Sequence, residues 1–205
     1  MDRPELTLMA QPQSWRVFSA RKADPAFKKF AEQVLTRDDY TCQYCGFQAH
    51  DFQQVVNRDH NYRHNELSNM ITACAFCAQC LFIESIDFND YGGGRIIYFP
   101  ELSQAELNAV CQVAFCAIAN ATNYRTNAQT IYRDLKLRSQ IVDQMLGEGM
   151  SNPARLGQML IDAPIEDRER VQRTVLKDLR LLPSKTKFEK QIQTWAVAAL
   201  DELAA

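Results

Sequence analysis

Two short stretches of the sequence contain cysteines at a spacing typical of metal ligands. Cys42 and Cys45 lie in "CQYCGF", and three more cysteines lie in "ACAFCAQC", at Cys74, Cys77 and Cys80. Four thiolates from two C-x-x-C pairs form the donor set of a structural zinc ion. Gly46, directly after Cys45, suits the tight turn that such a pair requires. We therefore predict one structural metal ion, zinc in preference to an iron centre with the same ligands.

The spacing alone leaves the second cysteine pair open. The first pair and Cys74 are separated by 28 residues, positions 46 to 73, and either Cys74/Cys77 or Cys77/Cys80 could complete a four-thiolate site. Cys111 and Cys116 lie in an apolar segment, where a buried free thiol is the expected role.

Composition and charge exclude several classes of protein. The 205 residues have a formal net charge of -2, no apolar run near the ~20 residues of a membrane span, and no signal-peptide pattern at the start. We therefore expect a cytosolic protein whose cysteines are metal ligands or thiols. The charge argues weakly against nucleic-acid binding. One basic cluster is interpreted as a solvated helix face, with a phosphate-binding patch as the alternative: Arg16, Arg21, Lys22, Lys28 and Lys29.

Helix signals flank the cysteine-rich region. Asp24 and Pro25 begin a helix whose apolar face carries Phe27, Phe30, Ala31 and Val34. After three glycines, a short strand is predicted from Arg95 to Phe99. Ser103 and Glu106 then form a capping box that opens a helix over residues 104–121. This helix is apolar nearly all round, so we predict that it lies in the core of this chain, with a surface that covers a partner as the alternative.

The rest of the chain is predicted to be helical. One set of apolar residues at helical spacing ends at Gly147 and comprises Ile131, Leu135, Ile141, Val142, Met145 and Leu146. A short helix follows Asn152-Pro153. Pro164 begins another helix, with Val171, Val175, Leu176 and Leu179 on one face, and the last helix carries Phe188, Ile192, Trp195 and Leu200. The predicted fold is mainly α with a small ββα-type zinc finger. The predicted regions are 1–100, which binds zinc, and 101–205, which is helical, with one continuous domain as the alternative.

The zinc region resembles the treble-clef domain of the HNH nucleases. The resemblance rests on "AFKKFAEQVLTRDDYTCQYCGF", "NRDHNY" and "NELSNMITACAFC". Asp59-His60 corresponds to the D-H pair of that family, and Asn69-Met70 to its N-L pair. The family's step from the Asn to the next cysteine lands on Cys74. The resemblance thus selects Cys42, Cys45, Cys74 and Cys77 as the zinc ligands and leaves Cys80 as an extra.

The catalytic half of the HNH pattern is incomplete. In that family a first ligand, here Asp59, holds a divalent ion, and a histidine, here His60, is the general base. The closing ligand position is Ala78, whose methyl group cannot bind a metal. Cys80, two residues on, points about 200° away on a helix. We therefore predict no enzyme, with Asp59, His60 and Asn69 as a relic of the motif and His60 as a structural residue. The alternative is a metal-dependent nuclease that uses Asp59 and His60. His50 and His64 are predicted to be ordinary surface residues.

Over its whole length the chain resembles the DotN (IcmJ) family of bacterial type IVB (Dot/Icm) secretion systems. The zinc finger, the "YGGGRIIYFPELSQAELNAV" segment and the helical second half carry this resemblance. It implies a non-enzymatic, zinc-stabilised adaptor of the coupling complex at the cytoplasmic face of the inner membrane. The implied partners are the C-terminal extension of the coupling ATPase DotL and an IcmS/IcmW-containing adaptor assembly. The resemblance implies no stable nucleic-acid partner.

Overall fold

A computed structural model describes residues 3 to 204 of the chain. The first part of the fold contains two helices, an antiparallel strand pair and one short helix. In chain order these are α1 (Ser14–Arg21), α2 (Pro25–Arg37), β1 (Gln54–Asn57), β2 (Met70–Ala73) and α3 (Ala75–Ala78). The second part pairs two distant strands within a set of helices. These elements are β3 (Gly94–Tyr98), α4 (Gln104–Ala119), α5 (Arg125–Leu137), α6 (Ser139–Leu146), α7 (Pro153–Asp162), α8 (Ile165–Thr174), β4 (Leu179–Pro183) and α9 (Glu189–Ala204).

Helix α2 begins where the sequence predicts. The Asp24 side chain accepts a hydrogen bond from the backbone N–H of Ala26 at 2.9 Å, and Pro25 occupies the first turn. The apolar face of α2 packs on the β1–β2 hairpin, where Val34 contacts a small cluster that includes Val55 and Met70. Helix α2 therefore supports the hairpin that leads into the second cysteine pair.

The strand pair β3–β4 corrects the sequence interpretation. Strand β3 matches the predicted strand to within one residue, but the sequence predicts no strand for its antiparallel partner β4 and places Leu179 on a helix face. Helix α8 ends at Thr174, so Leu179 lies on a strand and not on a helix face with Val171. Strand β4 has buried residues on both faces, and a short apolar run without alternation is ambiguous between strand and helix. Its pairing with β3, about 85 residues earlier in the chain, makes this run a strand and not a helix.

Helix α4 has one buried face and one exposed face. The capping box forms as predicted: Ser103 Oγ accepts from the Glu106 N–H, and the Glu106 carboxylate accepts from the Ser103 N–H at 2.8 Å. The prediction that α4 lies in the core is confirmed for one face only, because Val110 and Val113 are 41% and 72% exposed. Neighbouring elements cover only the face of α4 with seven buried residues: Gln104, Leu107, Asn108, Cys111, Gln112, Phe115 and Ile118.

The helices after α4 follow the predicted order but not the predicted core face. Leu135 and Val142 are buried, whereas Ile131, Ile141 and Met145 are exposed. The chain turns at Arg138 between α5 and α6, so the apolar spacing does not run along one continuous helix. The predicted helices α7 and α9 are confirmed. Asn152 caps α7, and the predicted face of α9 is buried except for Leu200, which is half exposed.

One cluster of buried apolar side chains contains residues from both parts of the chain. The Phe76 ring, next to Cys77, lies 5.8 Å from the Phe115 ring, 4.9 Å from Phe188 and 5.5 Å from Trp195. The division into regions 1–100 and 101–205 stays a prediction, and its ends at residues 1, 2 and 205 lie outside the described residues. Between residues 3 and 204, no helix has the length and hydropathy that crossing a bilayer requires.

Candidate metal centre

Four cysteine sulfurs converge at one place in the fold, and we call them the thiolate cluster. The Sγ atoms of Cys42, Cys45, Cys74 and Cys77 all lie within 4.8 Å of one another. Three of these residues are buried, and Cys45 is half-buried. The arrangement could hold one metal ion.

The first cysteine pair lies in a tight turn before β1. The Gly46 N–H donates to the Cys42 carbonyl oxygen at 2.9 Å, and Gly46 adopts a left-handed φ of +79°. A side chain is disfavoured at such a φ, so glycine suits the position. The Gln43 N–H donates to the Thr72 carbonyl oxygen at 2.9 Å, which ties this turn to strand β2.

The second cysteine pair lies at the start of α3. Strand β2 ends at Ala73, Cys74 precedes the helix, and Cys77 follows one turn later. Cys80 lies outside the thiolate cluster, and its thiol donates to the Phe76 carbonyl oxygen at 3.3 Å. The structure therefore brings together the Cys74/Cys77 pair, the choice that the HNH resemblance indicates and spacing alone leaves open.

The cluster fits a tetrahedral thiolate site. A zinc–sulfur bond of ~2.3 Å implies sulfur–sulfur edges of about 3.8 Å in a regular tetrahedron. The Sγ atoms of Cys45 and Cys74 are 3.7 Å apart. Zinc and iron both take four thiolates at this size, so the donor set fits either metal.

The pKa values of the cluster's cysteines move in opposite directions. Burial raises the pKa values of Cys74 and Cys77 well above the ordinary value. Burial acts in the same direction on Cys42, but hydrogen bonds from Cys45, Cys74 and Cys77 outweigh it and hold the pKa of Cys42 well below the ordinary value. Metal ligands are thiolates, so metal binding at this cluster would release protons from its thiols.

Two side chains of α4 donate hydrogen bonds to the cluster. Asn108 Nδ2 lies 3.3 Å from Cys77 Sγ, and Gln112 Nε2 lies 3.3 Å from Cys74 Sγ. The sequence prediction of an apolar core helix gave neither residue a role at the metal site. The available signal was a pair of amides four residues apart within an apolar run, since a buried amide needs a partner.

Residues 58–69, which we call the HNH-like loop, connect β1 to β2 and contain the predicted relic residues. Asn69 Nδ2 donates to Asp59 Oδ1 at 2.9 Å and to the His64 carbonyl oxygen at 2.9 Å, while Asn69 Oδ1 accepts from the Asp59 N–H at 3.2 Å. The Asn61 N–H also donates to Asp59 Oδ1. The structure thus brings Asp59 and Asn69 together within a network of hydrogen bonds internal to the loop.

His64 is exposed, as predicted, but the sequence did not indicate its partners within the loop. Its Nδ1 lies 2.7 Å from Asp59 Oδ2, and its Nε2 lies 3.4 Å from a Glu66 carboxylate oxygen. The hydrogen bond with Asp59 raises the pKa of His64. The pKa of Asp59 falls to about 2, because hydrogen bonds from Asn69, His64 and Asn61 outweigh a desolvation effect in the opposite direction. Both carboxylate oxygens of Asp59 therefore already have donors.

His60 has a different environment from His64. It is half-buried with φ at +57°, and burial lowers its pKa although the Asp59 charge opposes this. Among the described residues, none makes a hydrogen bond with its buried Nδ1 atom. His60 and Asp59 line a cavity of about 340 Å³, which the loop shares with residues 11–14 and Val17. His50, as predicted, is exposed.

The closing position of the HNH pattern is inaccessible. Ala78 has no exposed surface, and its N–H donates to the Cys74 carbonyl oxygen within α3. Its methyl group therefore belongs to the core.

The basic cluster is smaller than the sequence indicates. Arg21 is buried and donates to Asn57 Oδ1 at 2.7 Å, Val55 O at 2.8 Å and Asn65 Oδ1 at 3.0 Å. The interpretation of Arg21 as part of a solvated face is wrong, because its guanidinium joins α1 to the hairpin. Arg16, Lys22, Lys28 and Lys29 are exposed.

Together the fold and the site define a class: a mainly helical protein with small antiparallel sheets and a buried cluster of four cysteines that could hold a metal ion. No family model matches the sequence. The chain is 54% identical over 202 residues to the type 4 apparatus protein DotN of Legionella pneumophila subsp. pneumophila. The matched residues cover 98% of this chain and 94% of that relative. The chain therefore belongs to the DotN family.

Proposed function

We propose that this protein is a non-enzymatic, zinc-stabilised adaptor of a bacterial type IVB secretion apparatus. In this proposal it binds the C-terminal extension of the coupling ATPase DotL, next to an IcmS/IcmW-containing adaptor assembly. It reaches the cytoplasmic face of the inner membrane through these partners. The observation that carries the proposal is the 54% identity to a type 4 apparatus protein over nearly the whole chain.

Zinc is the proposed occupant of the thiolate cluster, with Cys42, Cys45, Cys74 and Cys77 as ligands. Zinc would supply folding free energy and no redox chemistry there, because four thiolates leave no open coordination position. The order of cysteine turn, β1–β2 hairpin and α3 supports the assignment of this region to the treble-clef, HNH-like type. The same proposal divides the chain into a zinc-binding region, residues 1–100, and a helical region, residues 101–205.

The contacts of the HNH-like loop support a non-enzymatic role. A catalytic divalent cation takes about six oxygen ligands, several of them from the protein or the phosphate. The cavity beside His60 has one carboxylate among its lining residues, that of Asp59, and both of its oxygens have donors. The position that closes the HNH pattern, Ala78 in α3, is buried and has a methyl side chain, so it offers no second protein ligand.

An apolar ridge on α5 and α6 is the proposed docking surface. Ile141 and Met145 lie one helical turn apart on α6 and are 38% and 57% exposed, and Leu137, at the end of α5, is 55% exposed. Arg133 and Lys136 are exposed beside the ridge. Apolar residues one turn apart suit the face of a helical peptide, and the neighbouring cations favour acidic residues at its edges. We therefore propose that the ridge binds a helical segment of the DotL extension with an acidic border.

Calorimetric titration of the full chain with the purified C-terminal segment of DotL tests this proposal. We expect Met145→Glu to weaken binding about tenfold or more, because it places a charge in an apolar contact. Val113→Glu is the control, since Val113 is also exposed, at 72% against 57% for Met145, but lies on α4. Unchanged binding in Met145→Glu, or an equal loss of binding in Val113→Glu, would contradict the docking surface. No binding by the unmodified chain would contradict the adaptor proposal.

A nicking assay on supercoiled plasmid with Mg²⁺ or Mn²⁺ tests the enzyme alternative. We expect no metal-dependent nicking above that of a His60→Ala preparation, and we expect His60→Ala to bind the DotL segment normally. Nicking that disappears in His60→Ala would overturn the non-enzymatic role.

A further inference from the structure

Three amide side chains form a buried row along α4, which we call the amide row. Gln104, Asn108 and Gln112 follow one another at intervals of four residues, and they are 3%, 0% and 3% exposed. Residues four apart lie on the same face of a helix, so the row runs along the face that packs against the core. Amides that are buried to this degree need hydrogen-bond partners.

One end of the amide row is bound to strand β4. The Leu181 N–H donates to Gln104 Oε1 at 2.7 Å, and Gln104 Nε2 donates back to the Leu181 carbonyl oxygen at 2.9 Å. This pair of bonds to backbone groups fixes which atom of the Gln104 amide is oxygen and which is nitrogen.

The orientation of Gln104 determines that of Asn108. Gln104 Nε2 also donates to Asn108 Oδ1 at 3.0 Å, so the amide oxygen of Asn108 must face Gln104. Asn108 Nδ2 is thereby turned toward the sulfurs, 3.3 Å from Cys77 Sγ and 3.9 Å from Cys80 Sγ. The hydrogen bonds thus run from the backbone of β4 through two side chains to a cysteine of the thiolate cluster.

The far end of the row contacts the other cysteine of the same pair. Gln112 Nε2 donates to Cys74 Sγ at 3.3 Å. Four thiolates around a divalent cation carry about two net negative charges, and N–H donors to the sulfurs stabilise that charge where water is absent. The amide row supplies two such donors to Cys74 and Cys77, both of which are fully buried.

We propose that the amide row positions and polarises the sulfurs of Cys74 and Cys77 and couples metal binding to the pairing of β3 with β4. Asn108 and Gln112 are positioning residues that retain the metal through the sulfurs they contact. Gln104 acts one step further away by holding the Asn108 amide in the donating orientation. In this proposal the metal stabilises the β3–β4 pair through α4, in addition to the cysteine turn, the β1–β2 hairpin and α3.

The first test measures metal release from the intact, zinc-loaded chain to a chromophoric chelator. We expect Asn108→Leu and Gln112→Leu to release zinc about 10 to 100 times faster than the unmodified chain, the range typical for loss of a residue that supports a ligand. Gln104→Leu should give a smaller increase, because its own contacts do not reach a sulfur. Release from Asn108→Leu and Gln112→Leu at the unmodified rate would overturn the proposal.

Asn120→Leu is the matched control for general destabilisation. Asn120 is an amide at the end of α4 whose Nδ2 donates to the Ala196 carbonyl oxygen at 2.9 Å, away from the sulfurs. We expect this variant to lower the melting temperature without faster zinc release. If Asn120→Leu released zinc as fast as Asn108→Leu, the effect would be one of stability alone and the proposal would be wrong.

A second measurement needs no variant of the amide row. In the unmodified chain loaded with cadmium-113, NMR should detect coupling between the metal and the side-chain amide protons of Asn108 and Gln112, transmitted through the N–H···S hydrogen bonds. Couplings that reach backbone amides but neither side chain would contradict the proposal. Because the inference rests on the proposed metal occupancy, the two failures differ: a chain without bound metal contradicts the zinc assignment, whereas a loaded chain without these couplings contradicts only the role of the amide row.

Discussion

The thiolate cluster and the HNH-like loop both bring polar groups together, but the groups face different partners. In the cluster, four sulfurs lie within 4.8 Å of one another, and the neighbouring amides of α4 donate toward them. In the loop, Asp59 is already bound by Asn69, Asn61 and His64. Convergence alone therefore does not identify a ligand site. The converging atoms must also be of a type that a metal takes, as the four sulfurs of the cluster are.

Burial explains this difference in physical terms. Deprotonated sulfurs in the core repel one another, and a cation relieves that repulsion most effectively. In the exposed loop, a carboxylate, an amide and a histidine neutralise and satisfy one another without any ion. The first arrangement could hold a metal ion, whereas the polar groups of the second are paired with one another.

The largest effect that we expect separates the two regions directly. Cys42→Ser or Cys74→Ser should abolish metal binding and cooperative folding, because structural zinc contributes on the order of 10 kcal/mol, comparable to the whole stability of a domain. Circular dichroism and metal analysis of the purified variants measure this. Cys116→Ser is the control, since Cys116 lies outside the cluster. Folded Cys74→Ser protein with a normal melting curve would remove the basis for a structural metal.

An intermediate effect is expected in the loop. Asn69→Ala removes three hydrogen bonds of a nearly buried side chain and should lower the free energy of unfolding by about 1–3 kcal/mol without loss of metal. Chemical denaturation of metal-loaded protein measures the change, with the exposed neighbour variant Ser68→Ala as control. Loss of metal in Asn69→Ala would show that the loop and the cluster are not independent.

The smallest effect concerns the two loop histidines, whose pKa values move in opposite directions. NMR titration should give a pKa above 6.5 for His64, which is bonded to Asp59, and below 6.5 for His60, which is half-buried. His64 therefore stabilises the fold at pH values below 6.5, and this contribution is lost as the pH rises through its raised pKa. The contribution of His60 is present above 6.5 and is lost as the pH falls through its lowered pKa.

Asp59→Asn is the control for this titration. The substitution removes the charged partner of His64 and should return the pKa of His64 toward its ordinary value. An unchanged pKa of His64 in Asp59→Asn would contradict the loop network.

The sequence could predict the features that depend on nearby residues. The cysteine pairs, the Asp24 and Asn152 caps and the Ser103–Glu106 capping box are all set within a few positions of the chain, and the structure contains each of them. The choice of Cys74 over Cys80 came from the HNH resemblance, and the convergence of the sulfurs agrees with it.

The features that the sequence could not predict depend on distant residues. Strand β4 pairs with a strand about 85 residues away, and the exposure of Ile141 and Met145 follows from the turn at Arg138. Asn108 acquires its role from sulfurs about 30 residues earlier in the chain. The hydrogen bond between His64 and Asp59 depends on how the loop folds, and no local pattern encodes it.

The count of metal ions per chain tests the central claim most directly, namely that this fold keeps a structural metal site and has no catalytic one. We expect elemental analysis of protein purified without chelators to find one zinc ion per chain, both in the unmodified protein and in an Asp59→Ala, His60→Ala double variant. The Cys42→Ser variant should contain none. A second metal ion that disappears in the double variant, accompanied by nicking of DNA, would contradict the account.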